Sequence, residues 1–377
     1  MLLEHISFSG IIIAGLCIAL LLSKKRNISS DHYLIVWLIV AVANLLYYLF
    51  PFLFSGKLQP FGFALPVLSV GMLYLYVLSL TFNIEFRLNY IVRHSLFFIM
   101  YSLSFIIFSA FYENIVFKDC IPYFTHKQPR GVLDLITLPM AIVPVVYIVF
   151  CFLALRKYQK KLPQYYSALE KISLNWLKYI LISLIILFIG VSLIITLSSK
   201  MGTIPSDKIF KIVAAVQSIY LCCIVFFSLR QSIVFNQQAF TENPAADKEG
   251  VKISSENRNR STDISQKLLM FMEAERPFLD EELSLKKLSL LMEVSTHRLS
   301  EVINQDLGTN FYKFVNSYRV EEVKKKLRTP EFDKYSILGI AFESGFNSKS
   351  TFNKIFKEET GMTPSEFKKF GSSVKES

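Results

Sequence analysis

Two short polar runs near the end of the chain hold side chains suited to hydrogen bonding with nucleic acid. STHRLSEVINQ contributes Thr296, His297, Arg298, Ser300 and Asn304; NSKSTFNKIFK contributes Ser348, Lys349, Ser350, Asn353, Lys354 and Lys357. Cations neutralise phosphates, while Arg, Asn and Ser can read base edges in the major groove, where each base pair presents its own donor and acceptor pattern. Arg298 is the strongest candidate for a base contact in the first run, because a guanidinium can grip guanine with two hydrogen bonds. Such side chains read a duplex only if a helix carries them on one face and an apolar face anchors it from behind.

The surrounding sequence supplies that anchor twice. Residues 285–308 align with 337–361 if one residue is added in the second turn, pairing Leu285 with Ile337, Leu288 with Ile340, Ser289 with Ala341, Val294 with Phe346, Leu299 with Phe352, Ile303 with Phe356 and Gly308 with Gly361. Two copies of one supersecondary unit follow from this self-similarity. In the second copy Ile337, Ile340 and Ala341 share a helical face, Gly345 supplies a turn, and Asn347 or Ser348 can cap a helix whose Phe352, Ile355 and Phe356 point inward. Each copy therefore reads as a helix-turn-helix. Between them Phe311, Phe314, Val315 and Tyr318 predict a linker helix. About 18 residues make a rod of roughly 27 Å, on the scale of the ~34 Å between successive major-groove segments on one face of DNA. Thr363-Pro364-Ser365-Glu366 is a capping box that opens one more helix.

The ordered series IA…SGF…S…F…FK…G…TPSEF resembles the DNA-binding domain of AraC-type transcription regulators, and Leu285, Leu288, Ser295, Leu299 and Gly308 are similar to that family's first helix-turn-helix. The likeness covers about residues 265–370. It implies sequence-specific binding of double-stranded DNA and transcriptional control in a bacterium. The chain departs from the family at Ser289, where Ala is usual, and at Glu301, an anion in a region usually basic. Between Lys286 and Lys369 there are 15 cations and 11 anions, so spacing rather than bulk charge carries the reading, and Lys324, Lys325 and Lys326 read as a solvated helix face.

The rest of the chain is of another kind. Of the whole sequence, 52% is hydrophobic, and the net charge of +11 lies entirely before residue 236, where 19 Lys and Arg face 8 Asp and Glu. Seven apolar stretches, near 6–23, 33–54, 61–82, 95–112, 132–155, 177–198 and 210–233, are each long enough to cross a hydrocarbon core. The loops after the first, third and fifth hold ten cations against six in the alternate loops, which predicts the N-terminus outside and the C-terminus on the cytoplasmic side; with the bacterial setting that the resemblance implies, the membrane expected is the inner one. The first stretch reads as a retained span, since its cations follow the apolar run instead of preceding it. Cys120, alone in the longest outer loop, implies no disulfide framework.

The expected fold is thus all-α: a seven-span bundle over 1–235, a flexible polar linker over 236–263, and a DNA-binding domain over 264–377. Short outer loops leave the bundle itself to meet any stimulus, a small molecule, a lipid or a partner membrane protein. Asn44, Asp134 and Gln217 are the polar groups to consider there, against the plainer roles of interhelical hydrogen bonding for Asn44 and Gln217 and an interfacial helix start for Asp134. The Tyr47/Tyr48 and Tyr74/Tyr76 pairs read as packing residues. HExxH, GxSxG and phosphate-binding Gly-rich loops do not occur, and His5, His32, His94, His126 and His297 are scattered, so neither catalysis nor a metal or other cofactor is expected. Two readings follow. One is a membrane receptor whose bundle alters how the tethered domain meets DNA, for instance through pairing of two protomers; the other is a transporter or scaffold with a DNA-binding regulatory tail.

Overall fold

The computed structural model describes residues 2–24, 28–54, 58–111, 115–118, 120–124, 130–201, 206–238 and 256–373. The chain divides into two units: residues 1–158 with 174–230, and residues 159–173 with 231–377.

The first unit is built on seven long helices: α1 (Leu2–Leu22), α2 (Ser29–Leu49), α3 (Gln59–Phe82), α4 (Leu88–Phe111), α5 (Arg130–Lys161), α6 (Asn175–Met201) and α7 (Ser206–Gln238). All seven are long and apolar enough to cross a membrane. Helix α2 stops before Pro51, whose missing N–H cannot continue the helix, and a 3-10 turn, Pro51–Phe54, follows. Helix α3 is the central element: 67% of its apolar window is buried, against 22% for α4 and α6. A short antiparallel hairpin, β1 (Ile115–Lys118) with β2 (Ile121–Phe124), lies in the segment expected only as a loop.

Polar side chains inside this unit find one another. Asn44 donates to Gln217 Oε1 at 3.2 Å and Gln217 donates to Ala41 O at 3.4 Å, tying α2 to α7 by the interhelical hydrogen bond expected for that pair. Tyr76 donates to Ser228 Oγ at 2.7 Å, linking α3 to α7. Tyr47 meets Phe54 edge-on, Tyr48 stacks on Phe210, and Tyr74 packs against His94 and Tyr147. Asp134 falls in the first turns of α5, and its side chain lies outside the described residues.

Among the described residues the second unit carries seven further helices: α8 (Glu256–Ala274), α9 (Leu285–Leu291), α10 (Thr296–Glu301), α11 (Phe311–Arg328), α12 (Ile337–Glu343), α13 (Lys349–Thr360) and α14 (Pro364–Ser373). A π-helical turn, Val302–Asp306, prolongs α10. Of the stretch read as a linker, 236–238 are helical at the end of α7 and 256–263 at the start of α8; 239–255 lie outside the described residues.

Two apolar cores form here, and α11 serves both. Its first half gives Phe311, Phe314 and Val315 to a core with Leu268, Met272, Leu285, Leu288, Leu299, Val302 and Ile303. Its second half gives Val320, Val323 and Leu327 to a core with Ile340, Ala341, Phe346, Phe352, Ile355 and Phe356. Each helix-turn-helix is thus packed on one end of a shared rod, as its apolar period required.

The duplication holds at the level of the backbone. Gly308 and Gly361 both have positive φ, +63° and +75°. In the two turns Val294 N–H donates to Ser289 O at 2.9 Å and Phe346 N–H to Ala341 O at 3.1 Å. The position matching Gly345, at φ +91°, is Glu293, held at φ +55°. A side chain in left-handed conformation costs about 1–2 kcal/mol, partly offset by the extra freedom a glycine would lose on folding. Glu293→Gly should therefore raise stability by about 0.5–1 kcal/mol, measurable as slower amide exchange across α9 and α10.

Candidate nucleic-acid interface

Four serines start the four motif helices. Ser284 accepts from Lys287 N–H at 3.2 Å, Ser295 from Arg298 N–H at 3.3 Å, Ser336 from Gly339 N–H at 3.0 Å and Ser348 from Thr351 N–H at 3.4 Å. Of the two caps considered for α13 it is therefore Ser348, not Asn347, that closes the helix, because the inserted residue moves the cap one place along. Thr363 N–H donates to Glu366 at 2.8 Å and Glu366 N–H to Thr363 Oγ1 at 3.3 Å, the reciprocal cap at α14.

Helix α13 buries Phe352, Ile355 and Phe356 and exposes Lys349, Ser350, Asn353, Lys354 and Lys357 on one face. Lys354 lies 3.9 Å from the surface carboxylate of Glu358, a pairing of little strength in water. Ser348 sits half-buried at the end of this face.

The first motif presents its candidates differently. His297 is exposed, and Asn304 is exposed while donating to Ser300 O at 2.8 Å and Ser300 Oγ at 3.1 Å. Thr296 turns toward α9, its hydroxyl 3.0 Å from that of Ser289. Arg298 is half-buried and ion-paired with Glu301 at 2.8 Å. Both departures from the family pattern thus have a local partner: Ser289 is satisfied between Lys286 O and Thr296, and Glu301 holds Arg298. For Arg298 to reach guanine it must leave Glu301 or share it, whereas the lysines of α13 face outward already.

Three features escaped the sequence reading. Arg319 on α11 is 1% exposed, with all five N–H groups bonded: to Phe278 O at 2.8 Å, Asp280 O at 2.7 Å, Ser167 Oγ at 3.1 Å, Ser167 O at 3.4 Å and Asn316 Oδ1 at 3.3 Å. Burial pushes its pKa down to about 10, so it is still a cation at neutral pH. Helix α8 adds Leu268 and Met272 to the first core, a signal visible in the spacing of Ile264, Leu268, Phe271 and Met272. The lysine run corrects the expectation of a solvated face: Lys325 is exposed, but Lys324 pairs with Glu321 at 2.6 Å, and Lys326 lies half-buried, 3.7 Å from both Glu322 and Glu343 and over the Phe332 ring.

The geometry is that of two helices, each backed by its own core and each led by a serine cap. A protein family described as a helix-turn-helix domain matches residues 288–369, which span both motifs and α11. Residues 288–369 form an AraC-type helix-turn-helix domain. Similar segments occur in an uncharacterized HTH-type transcriptional regulator of Staphylococcus aureus strain COL, 34% identical over 88 residues that make up 23% of this chain and 11% of that protein. Another lies in a probable transcription factor, PqrA, of Proteus vulgaris, 32% identical over 78 residues, 21% of this chain and 62% of that protein. The likeness to these relatives covers less than a quarter of the chain, and the chain spans about a tenth of the Staphylococcus protein's length. No solved structure matches the chain. Among the described residues no cluster of His, Cys, Asp and Glu has the arrangement of a metal site.

Proposed function

We propose that the chain is a membrane-embedded, sequence-specific transcription regulator. Seven apolar helices hold it in a bacterial cytoplasmic membrane, N-terminus outside, and keep the AraC-type domain in the cytoplasm, where it meets double-stranded DNA. A stimulus reaching the bundle, a small molecule, a lipid or a partner membrane protein, changes how that domain engages DNA, with pairing of two protomers as one route. Asn44 and Gln217 belong to the bundle's structure through their shared hydrogen bond.

The observation that supports this reading best is the outward face of α13, with three lysines, a serine and an asparagine over a fully apolar back. Lys349 and Lys354 serve as phosphate contacts and Asn353 as a base reader; in the first motif His297, Arg298, Ser300 and Asn304 take the corresponding places, and Thr296 contributes by holding α10 to α9. Lys349→Ala should weaken binding of the full chain to its selected duplex and flatten the dependence of log K on log salt by about one unit. Asn353→Ala should cost about 1–3 kcal/mol and relax preference at one base pair. Unchanged affinity and salt slope in both variants at matched ionic strength would remove α13 from the interface.

A further inference from the structure

The segment QKKLPQYYSALEKIS, Gln159–Ser173, joins α5 to α6 in the chain yet belongs to the second unit. It is seated on the AraC-type domain by backbone and side chains together. Tyr165 packs on the first core, Leu285 N–H donates to Tyr165 O at 2.8 Å, and Ser167 N–H donates to Leu283 O at 3.4 Å, around an antiparallel bridge of Tyr166 with Ser284. Ser167 is 1% exposed. Its hydroxyl donates to Leu283 O at 2.6 Å, it takes two N–H groups of Arg319, and Asn316 donates to its carbonyl at 3.0 Å. Such an anchor is built, not incidental, since the buried guanidinium spends two of its five donors on this one residue.

Three residues beyond the anchor, Glu170 reaches the N-terminus of α13. Its carboxylate accepts from the hydroxyls of Ser348, Ser350 (3.1 Å) and Thr351. Those hydroxyls, with the positive end of the helix, are groups of the kind that otherwise receive a DNA phosphate. Two of them, on Ser348 and Ser350, belong to the proposed interface. Burial by itself would raise the Glu170 pKa, but the hydroxyls and the Thr351 amide outweigh it and hold the carboxyl below its usual range, so the group is an anion at neutral pH.

We propose that residues 159–173 are an intramolecular competitor of DNA, with Ser167 as anchor and Glu170 as the anion that occupies the phosphate position at α13. The proposal rests on the reading of α13 as a DNA-contacting helix. The competitor is the covalent continuation of α5 and α6, so a rearrangement of those helices pulls on it directly, and its release frees the end of α13. Negative charge at that end also repels an approaching phosphate, so the docked segment opposes DNA by occupancy and by charge.

The test uses the full chain in lipid nanodiscs and duplexes enriched from a randomised 40-base-pair pool by the same chain. Glu170→Ala should bind them about tenfold more tightly at fixed salt, within the usual range of coupling between two sites. Amide exchange in 162–173 of the native chain should accelerate when the duplex is added. Affinity unchanged or weakened in Glu170→Ala, or protection of 162–173 that persists with DNA bound, overturns the proposal; a variant that merely loses thermal stability without tighter binding does so too. The underlying reading fails separately: if Lys349→Ala binds as the native chain does while Glu170→Ala tightens, α13 is not the contact surface and the segment acts elsewhere.

Discussion

Arg319→Ala is expected to destabilise the second unit by about 3–5 kcal/mol, a large part of the 5–15 kcal/mol that holds a typical domain together. The side chain is buried and its five N–H groups bond four carbonyl or amide oxygens and one hydroxyl. Removing it leaves the carbonyls of Phe278, Asp280 and Ser167 without these donors, each at a cost of roughly 1–3 kcal/mol when no water replaces the bond, and opens a cavity besides. Arg319→Lys should recover little, because an ammonium has three donors and no planar fork. Native-state amide exchange of the full chain would report the loss as a matching fall in opening free energy across α11 and in 162–173 together. If α11 opens at its native free energy in Arg319→Ala, the hub has been assigned too much weight.

Gly345→Ala should cost about 3–4 kcal/mol, for two reasons that meet at one atom. The residue holds φ +91°, where a side chain is strained, and a Cβ there would collide with the carbonyl oxygen of Phe278 and lie 2.9 Å from Arg319 Nε. Neither neighbour can yield cheaply, since the carbonyl is backbone and the guanidinium is fixed by its other bonds. The turn of the second motif is therefore packed against the same hub that anchors Ser167. A shift of the thermal transition of the second unit by less than a degree in Gly345→Ala would contradict this packing. The corresponding place in the first motif carries Glu293, which shows that the turn alone tolerates a side chain.

Periodicity made much of this legible. The pairing of Leu288 with Ile340, Leu299 with Phe352 and Ile303 with Phe356 was readable because all six are buried core residues whose spacing reflects one helix face. Gly308 and Gly361 were readable because only a positive φ recommends glycine at both sites. The seven apolar helices were evident from length and composition, though their ends differ: α2 stops at Leu49, short of Pro51, and α4 begins at Leu88, seven residues before the expected start. What a period cannot show is which polar group meets which. Arg319 looked like one more cation on α11, and only the fold brings Ser167, 152 residues away in sequence, onto it. Lys326 looked solvated because two of the groups it meets, Glu343 and Phe332, lie beyond the end of its own helix. Thr296 and Arg298 looked like outward candidates, though Ser289 on α9 and Glu301 one turn along α10, the two residues that departed from the family pattern, turn out to be what they touch. The hairpin at 115–124 has four-residue strands and no Asn-Gly or Asp-Gly turn to announce it.

The central claim is that the duplicated helices read duplex DNA as a pair. Selection of a randomised 40-base-pair pool by the full chain in nanodiscs, followed by sequencing, tests it most directly. Two preferred blocks separated by about one helical turn, roughly 10 base pairs, are the predicted result, one block for α10 and one for α13. A pool that emerges no more ordered than it began would contradict the claim.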